Sequence, residues 1–407
     1  MTYSSGGLIQ ATDYNGFVST TAGANINATW NTAYGQTALS TVGPTGSTGA
    51  IASVTLATAG VLTVTSGTYF IGQEIEVTGT FSAGSISGYT TGTKYYIIAV
   101  GSATSITISA TPSGSAVTST AGTATPGATF TITSSASIVT ATQWASLVNT
   151  TASLGTHTNT AITARVAPTT GTTISVLAAV NTDITNTFNN RYNAYAVGSQ
   201  FTGWTGTNSK TAGTGPGAWS ITFTNTVTWA SSAAAGYFFN AGGLIKIDVS
   251  KTATGATGDP EWNDLANTLC GDIWISGLAT SHTIAGVAYT GTTKVGGTGS
   301  PATLSTGTGW DALSAGAAGT IVYKQFADTA PYTSNFIQHT IAKGASSNTL
   351  TITTLWSASD GDAISGGTAA SGATPGTAPC TIVTYYPPET TTLTNTWGTP
   401  TVAATTV

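Results

Sequence analysis

The stretch AWSITFTNTVTWA at Ala218–Ala230 decides the fold class. Trp219, Ile221, Phe223, Val227 and Trp229 fall on alternate positions with Ser and Thr between them. That period of two puts apolar side chains on one face of a strand and hydroxyls on the other. Threonine is β-branched and half polar, so it suits the solvated face of a pleated sheet. Outward from this stretch the texture recurs. GYFFNAGGLIKIDVS at Gly236–Ser250 places Leu244, Ile245, Ile247 and Val249 in a strand around a Gly-Gly bend; GDIWISG, HTIAGVAYT, GTIVYKQF, NFIQHTIAK, NTLTITTLW and CTIVTYY follow. Short strands, Gly-rich turns and no helices between them predict a mainly β chain with a β-sandwich or jelly-roll main domain over 201–388.

Upstream the period changes. Thr140-Ala141-Thr142-Gln143 is a capping box, and Trp144, Leu147, Val148 and Leu154 follow on one helical face. A second helix is expected from Ile174 to about Tyr195, with Leu177, Val180, Ile184, Phe188 and Tyr192 on its apolar side. Pro168 and Gly171 sit in the connection, so 135–200 reads as a short helical pair in which Trp144 faces the second helix. Between Trp30 and Trp144 there is no Trp, and IASVTLA, VLTVTSG, EIEVTG, KYYIIAV, TSITIS and ATFTIT alternate with Gly/Ser/Thr turns. Residues 44–134 therefore read as an inserted small β-sandwich or barrel domain. Residues 1–43 form an N-terminal anchoring segment, with a helical turn at TDYNGFV capped by Thr12. Residues 389–407 are polar and are expected to run extended over a neighbour or into solvent, while Trp397 needs burial.

Only 6% of the 407 residues are Asp, Glu, Lys or Arg, against about 25% in an ordinary soluble domain. Net charge is −5 and the nine basic residues are scattered, so there is no patch to neutralise phosphates or to dock on anionic lipid. Nucleic-acid and membrane roles are disfavoured. The longest apolar run, YYIIAV at Tyr95–Val100, is far short of the roughly 20 residues of a membrane helix. Two cysteines, Cys270 and Cys380, make no disulfide framework. They are either bridged to each other or, as expected of so sparse a pair, two buried free thiols. MTYSSGGLIQ has neither a basic region nor an apolar one, so a secretory signal is not expected there. A chain with this extracellular texture needs another way out, and a virus particle freed by lysis supplies it.

A resemblance rests on particular words. YGQ at Tyr34–Gln36, TATQWASLVN at Thr140–Asn149, YFFNAGGLIKI at Tyr237–Ile247 and NTWG at Asn395–Gly398 resemble those of a family of virion structural proteins of tailed bacteriophages, especially phages of marine bacteria and cyanobacteria. The likeness covers roughly the first 45 residues and most of the chain from Ile138 onward. In that family YGQ is followed closely by TATQW, whereas here about ninety residues intervene, which agrees with an insertion. The insert, with GYTTGTKYYI, is similar to small β-modules of phage structural proteins. The resemblance implies a location in the virion and no catalytic role.

The residues themselves carry little chemistry. His157, His282 and His339 stand alone, without HxH or HExxH spacing, and read as surface or satisfied core residues. Asp259, Glu261 and Asp264 of DPEWND suit an acid/base pair of a glycan-cleaving tailspike, but turn and capping work is the commoner use of such a segment. Asp360-Gly361-Asp362 offers hard oxygen ligands without the remainder of an EF-hand pattern. GTGPG lacks the lysine of a phosphate loop, and no GxSxG elbow is present. No catalytic, cofactor-binding or metal residue is assigned and no enzyme is expected. The reading is a virion structural protein that assembles with copies of itself as a trimer or higher and with other virion proteins. A receptor-binding or adhesive fibre protein contacting host-surface glycan is the alternative.

If 44–134 is an insertion, joining Gly43 to Ser135 through a short Gly/Ser linker should leave a chain that folds and associates as before in light scattering. Aggregation of that deletion would place the segment's strands in the main core.

Overall fold

A computed structural model describes residues 11–19, 24–42, 49–51, 55–57, 61–63, 66–67, 69, 71–78, 90, 92–111, 114–117, 129–132, 139, 141–166, 177–199, 201–204, 219–251, 259–358 and 379–406. The chain is mainly β, and its sheets are antiparallel. Two compact units partition it. The first takes Met1–Thr21, Leu39–Asn149 and Ala164–Asn181; the second takes Ala22–Ala38, Thr150–Thr163 and Thr182–Val407.

Among the described residues of the first unit every strand comes from the stretch read as an insertion. A seven-stranded sheet runs in the order Gly49–Ile51, Thr129–Ile132, Glu74–Thr78, Lys94–Ser102, Ser105–Ser109, Val61–Thr63, Thr55–Ala57. Leu62, Ile75, Tyr95, Ile97, Ile106 and Ile108 are its buried apolar residues. TDYNGFV belongs to a helix longer than one turn, α1 (Ala11–Val18), which buries Tyr14, Phe17 and Val18. The Asn15 amide fixes the chain beyond it, donating to the Val42 carbonyl at 2.8 Å and accepting its N–H at 2.7 Å.

The expected helix at TATQW is α2 (Ala141–His157); Thr140 itself lies outside the described residues. Trp144 and Leu147 are buried at its start and Val148 is half-buried. Trp144 meets Tyr14 and Phe17 of α1 edge-on, with ring centroids at 5.7 and 6.0 Å. Its aromatic partners are thus on the N-terminal helix, where the sequence reading looked to the second helix of a pair. That second helix, α3 (Leu177–Asn189), stops short of Tyr195 because two asparagines, poor helix formers, end it. Arg191 then covers the end, donating to the Phe188 carbonyl at 2.8 Å while its guanidinium lies over the Phe188 and Tyr192 rings.

The second unit holds two larger sheets. The six-stranded one runs Thr303–Leu304, Thr320–Phe326, Phe336–Lys343, Thr349–Ala358, Trp219–Thr228, Thr401–Thr406. The five-stranded one runs Thr292–Val295, Asp272–Ile275, Leu244–Lys251, Pro379–Tyr386, Phe201–Trp204. The alternation holds from Ile221 to Trp229: Ile221, Phe223, Val227 and Trp229 are buried, and Asn225 takes the inward place between Phe223 and Val227; the side chain of Trp219 lies outside the described residues. The sheets approach each other at both margins, 401–406 beside 201–204 and 292–295 beside 303–304.

Two expectations for this unit are corrected. Helices do interrupt the strands. Ser231 caps α4 (Ser232–Asn240), accepting the Ala234 N–H at 3.1 Å, so that YFFN is helical where the reading took it for strand. Gly242, at φ +90°, ends α4, and Gly243 donates back to the Phe238 carbonyl at 2.8 Å. DPEWND forms α5 (Asp259–Asp264), continued by a π-helical turn at Leu265–Cys270. Nor is 389–407 an extended arm: Leu393 and Trp397 are buried, and 401–406 is the outermost strand of the six-stranded sheet, paired with Trp219–Thr228. Its sequence, TVAATT, has a single large apolar residue and gave that strand no apolar signature.

Trp144→Ala should lower the stability of the first unit by about 3–5 kcal/mol through the cavity it leaves. Asn149→Ala, on the exposed side of α2, should change it by less than about 0.5 kcal/mol. Urea melts of the two variants make the comparison.

Candidate functional site

Distant parts of the second unit meet at Tyr34-Gly35-Gln36. Gly35 has φ +69°, and a Cβ there would run into the Tyr237 ring, so both the backbone and the ring of α4 demand glycine. The turn sends Tyr34 and Gln36 inward, and both are buried. The Tyr34 hydroxyl donates to the Arg191 carbonyl, and its ring stands edge-on to His157 at 5.1 Å. Gln36 uses both ends of its amide: Nε2 donates to the carbonyls of Thr394 at 2.9 Å and Tyr34 at 3.2 Å, and Oε1 accepts the Thr394 N–H at 3.0 Å and its hydroxyl. Thr396 donates its hydroxyl to the Tyr34 carbonyl, and Asn240 of α4 donates to Ala33 at 3.1 Å.

His157, the last residue of α2, belongs to the same unit and is fully buried. Its Nδ1 is 2.8 Å from Oε1 of Glu389, itself only 4% exposed. A carboxylate can only accept, so Nδ1 carries the hydrogen. Glu389 also takes the N–H of Thr391 at 2.6 Å, the N–H of Thr392 at 3.1 Å and both threonine hydroxyls. Burial pushes this carboxyl upward, but the bonds from His157, Thr391 and Thr392 outweigh it and hold the group well below the usual carboxylate range.

Three of the four words quoted for the resemblance thus come together, YGQ, Tyr237 and Asn240 of YFFNAGG, and Thr396 of NTWG, while the fourth, TATQWASLVN, falls in the first unit. Sequence reasoning missed Glu389 and the partnership of Gln36 with Thr394. The visible signal was a lone carboxylate followed by a run of threonines, ETTT at Glu389–Thr392. Trp397, for which burial was required, is 1% exposed.

The other expected residues lie elsewhere. His282 sits in the hairpin His282–Ile284/Val287–Tyr289, with Nδ1 2.9 Å from the Thr280 carbonyl. His339, fully buried, bonds Thr354 Oγ1 at 2.9 Å and stacks on Tyr323, whose hydroxyl donates to the Cys270 carbonyl at 3.0 Å. Burial pushes His339 down to about 3 and the Cys270 thiol up to about 12, so both are neutral at pH 7. Cys270 is a free thiol; the side chain of Cys380 is outside the described residues, as are Asp360, Asp362 and the side chain of Asp259.

Glu261 and Asp264 do come together, joined by Asp328, with a carboxylate oxygen of each within 4.8 Å of the others. Among the described residues no other group of three His, Cys, Asp or Glu side chains is so close. Burial raises the Glu261 pKa; hydrogen bonds from Thr329 work against this, and the charges of Asp328 and Asp264 add to it. Glu261 and Asp264 are i, i+3 neighbours, so helix geometry accounts for their proximity. Three oxygens are half of the six to eight a calcium ion takes. The cluster is the place in the described chain where a hard cation would find ligands. No family model, curated protein or solved structure matches the chain.

What the Tyr34–Gln36 site does is fasten chain segments: the side chains of Tyr34, Gln36, Glu389 and Thr396 bond other segments, and His157 is engaged through Nδ1 while its buried Nε2 has no hydrogen-bond partner. Glu389→Gln should destabilise the second unit at pH 7 by about 1.5–3 kcal/mol, the range for hydrogen bonds to a charged group. Because the folded-state pKa is depressed, the stabilisation is complete above the unfolded value of about 4.5 and is lost as pH falls toward the folded value. The gap between wild type and variant should therefore be constant from pH 7 to 5 and narrow by pH 3 in urea titrations. A gap independent of pH would show that Glu389 is not ionised in the folded protein.

Proposed function

We propose that this chain is a structural subunit of a tailed-bacteriophage virion, a tail, baseplate, neck or head-decorating component that works through contacts between subunits. The observation that carries this reading is where the family words fall. Gly35 packs against Tyr237, Asn240 donates to the Ala33 carbonyl and Thr396 to the Tyr34 carbonyl, so three of the four words close on the 33–36 segment. The likeness to those virion proteins therefore bears on how the chain is built, which is the level at which a structural subunit works. Composition agrees: a surface rich in hydroxyls and poor in charge has little self-repulsion to oppose association.

The five- and six-stranded sheets, with inward rows such as Ile245, Ile247, Val249 and Ile221, Phe223, Val227, are the two layers of a sandwich in this reading. Its partners are copies of itself and other virion proteins.

Mass spectrometry of gradient-purified particles should find the chain at a fixed copy number per particle. Presence in the lysate with absence from purified particles would overturn the proposal.

A further inference from the structure

The outward face of the six-stranded sheet is laid out with unusual regularity. Strand register puts Thr405, Thr224, Thr353 and Thr340 in one row across four strands. Thr401, Thr228 and Thr349 form another, and between these rows the hydroxyls of Thr226 and Thr351 lie 3.4 Å apart. Toward the other margin the face turns apolar, with the Phe326 and Phe336 rings 5.5 Å apart.

All six strands together contain two charged residues, Lys324 and Lys343. Lys343 is laid over the Trp310 ring at 4.3 Å. Lys324 is folded onto the aromatic pair, its Nζ 3.7 Å from the Phe336 centroid and 4.6 Å from that of Phe326. Soluble proteins ordinarily guard an exposed sheet with charges, and this face has none standing free among the described residues.

We propose that two copies of the chain pack these outward faces together about a two-fold axis. The inference rests on the assembly reading above and names the surface that assembly uses. A face whose one cation, Lys324, is folded onto its own phenylalanine rings offers little to select a charged partner, since complementarity of charge is what steers and specifies such partners. It is complementary to itself, as a two-fold contact requires. Its size is of the right order: four strands of 8, 10, 10 and 6 residues, about 4.8 Å apart at roughly 3.4 Å per residue, give a flat-projected footprint of roughly 550 Å², about two thirds of the ~800 Å² that a standard interface takes from each partner.

The test is sedimentation of the whole chain over a concentration series. Wild type should form an even-numbered oligomer, and the double variant Thr226→Lys/Thr351→Lys should weaken association about 100-fold, because like charges would then face each other across the axis. Ala288→Lys, exposed on the 287–289 hairpin strand, should leave association unchanged. Hydroxyl-radical footprinting of wild type gives a readout that does not depend on the variant folding: oxidation of Phe336 and Leu355 should fall several-fold on association. Undiminished association of a folded double variant, or equal oxidation of Phe336 and Leu355 in monomer and oligomer, overturns this surface and leaves the assembly reading standing. A wild-type chain that stays monomeric and shows no self-contact in particles removes both.

Discussion

The buried amide of Gln36 is the constraint on which the second unit turns. A primary amide removed from water must find partners for its oxygen and both its hydrogens, or the fold bears the cost of desolvation. Here the partners are the peptide N–H and C=O and the hydroxyl of one residue, Thr394, together with the Tyr34 carbonyl. Gln36 thereby stands in for a strand, pairing with the 394 backbone as a neighbouring chain would. Gly35 lets the amide reach that position, and Glu389 repeats the device five residues upstream of Thr394 by gathering Thr391, Thr392 and His157.

Elements with a strong period were legible in the sequence. Trp219–Thr228 and Thr349–Ala358 alternate apolar and hydroxyl side chains apart from inward Asn225 and Thr354 and outward Leu355, and the structure pairs them residue for residue. α2 was legible for the same reason at its own period, from Trp144 to Leu154. What failed had no period to show. YFFN is apolar at consecutive positions, which suits a buried helix and a strand equally well, and only the serine before it and the glycines after it separate the two. Thr401–Thr406 is held by the neighbour it pairs with, a tertiary fact without local trace.

The fastening site shows a different limit. Each word was visible, but what joins them is a set of bonds across 207 to 362 positions, and such pairings leave no mark in one sequence. Histidine lacked context in the same way. His157, His282 and His339 read alike, yet one bonds a carboxylate, one a carbonyl and one a hydroxyl. The carboxylates were half legible: Glu261 and Asp264 share a helix face, while Asp328 reaches them through the fold.

The separation of Gln36 from Thr394, 358 positions, also sets a clock. A ribosome adds roughly 5–20 residues per second, so Gln36 waits on the order of tens of seconds for its partner to be made. Through the later part of that interval Trp219–Thr228, once made, also lacks the strand at 401–406 that covers one of its edges. An uncharged, unpaired strand edge is what another nascent chain can join. Neighbouring ribosomes on one message thus hold chains that are open to each other before they are closed within themselves, and the spacing of those ribosomes becomes a variable in how cleanly the protein is made.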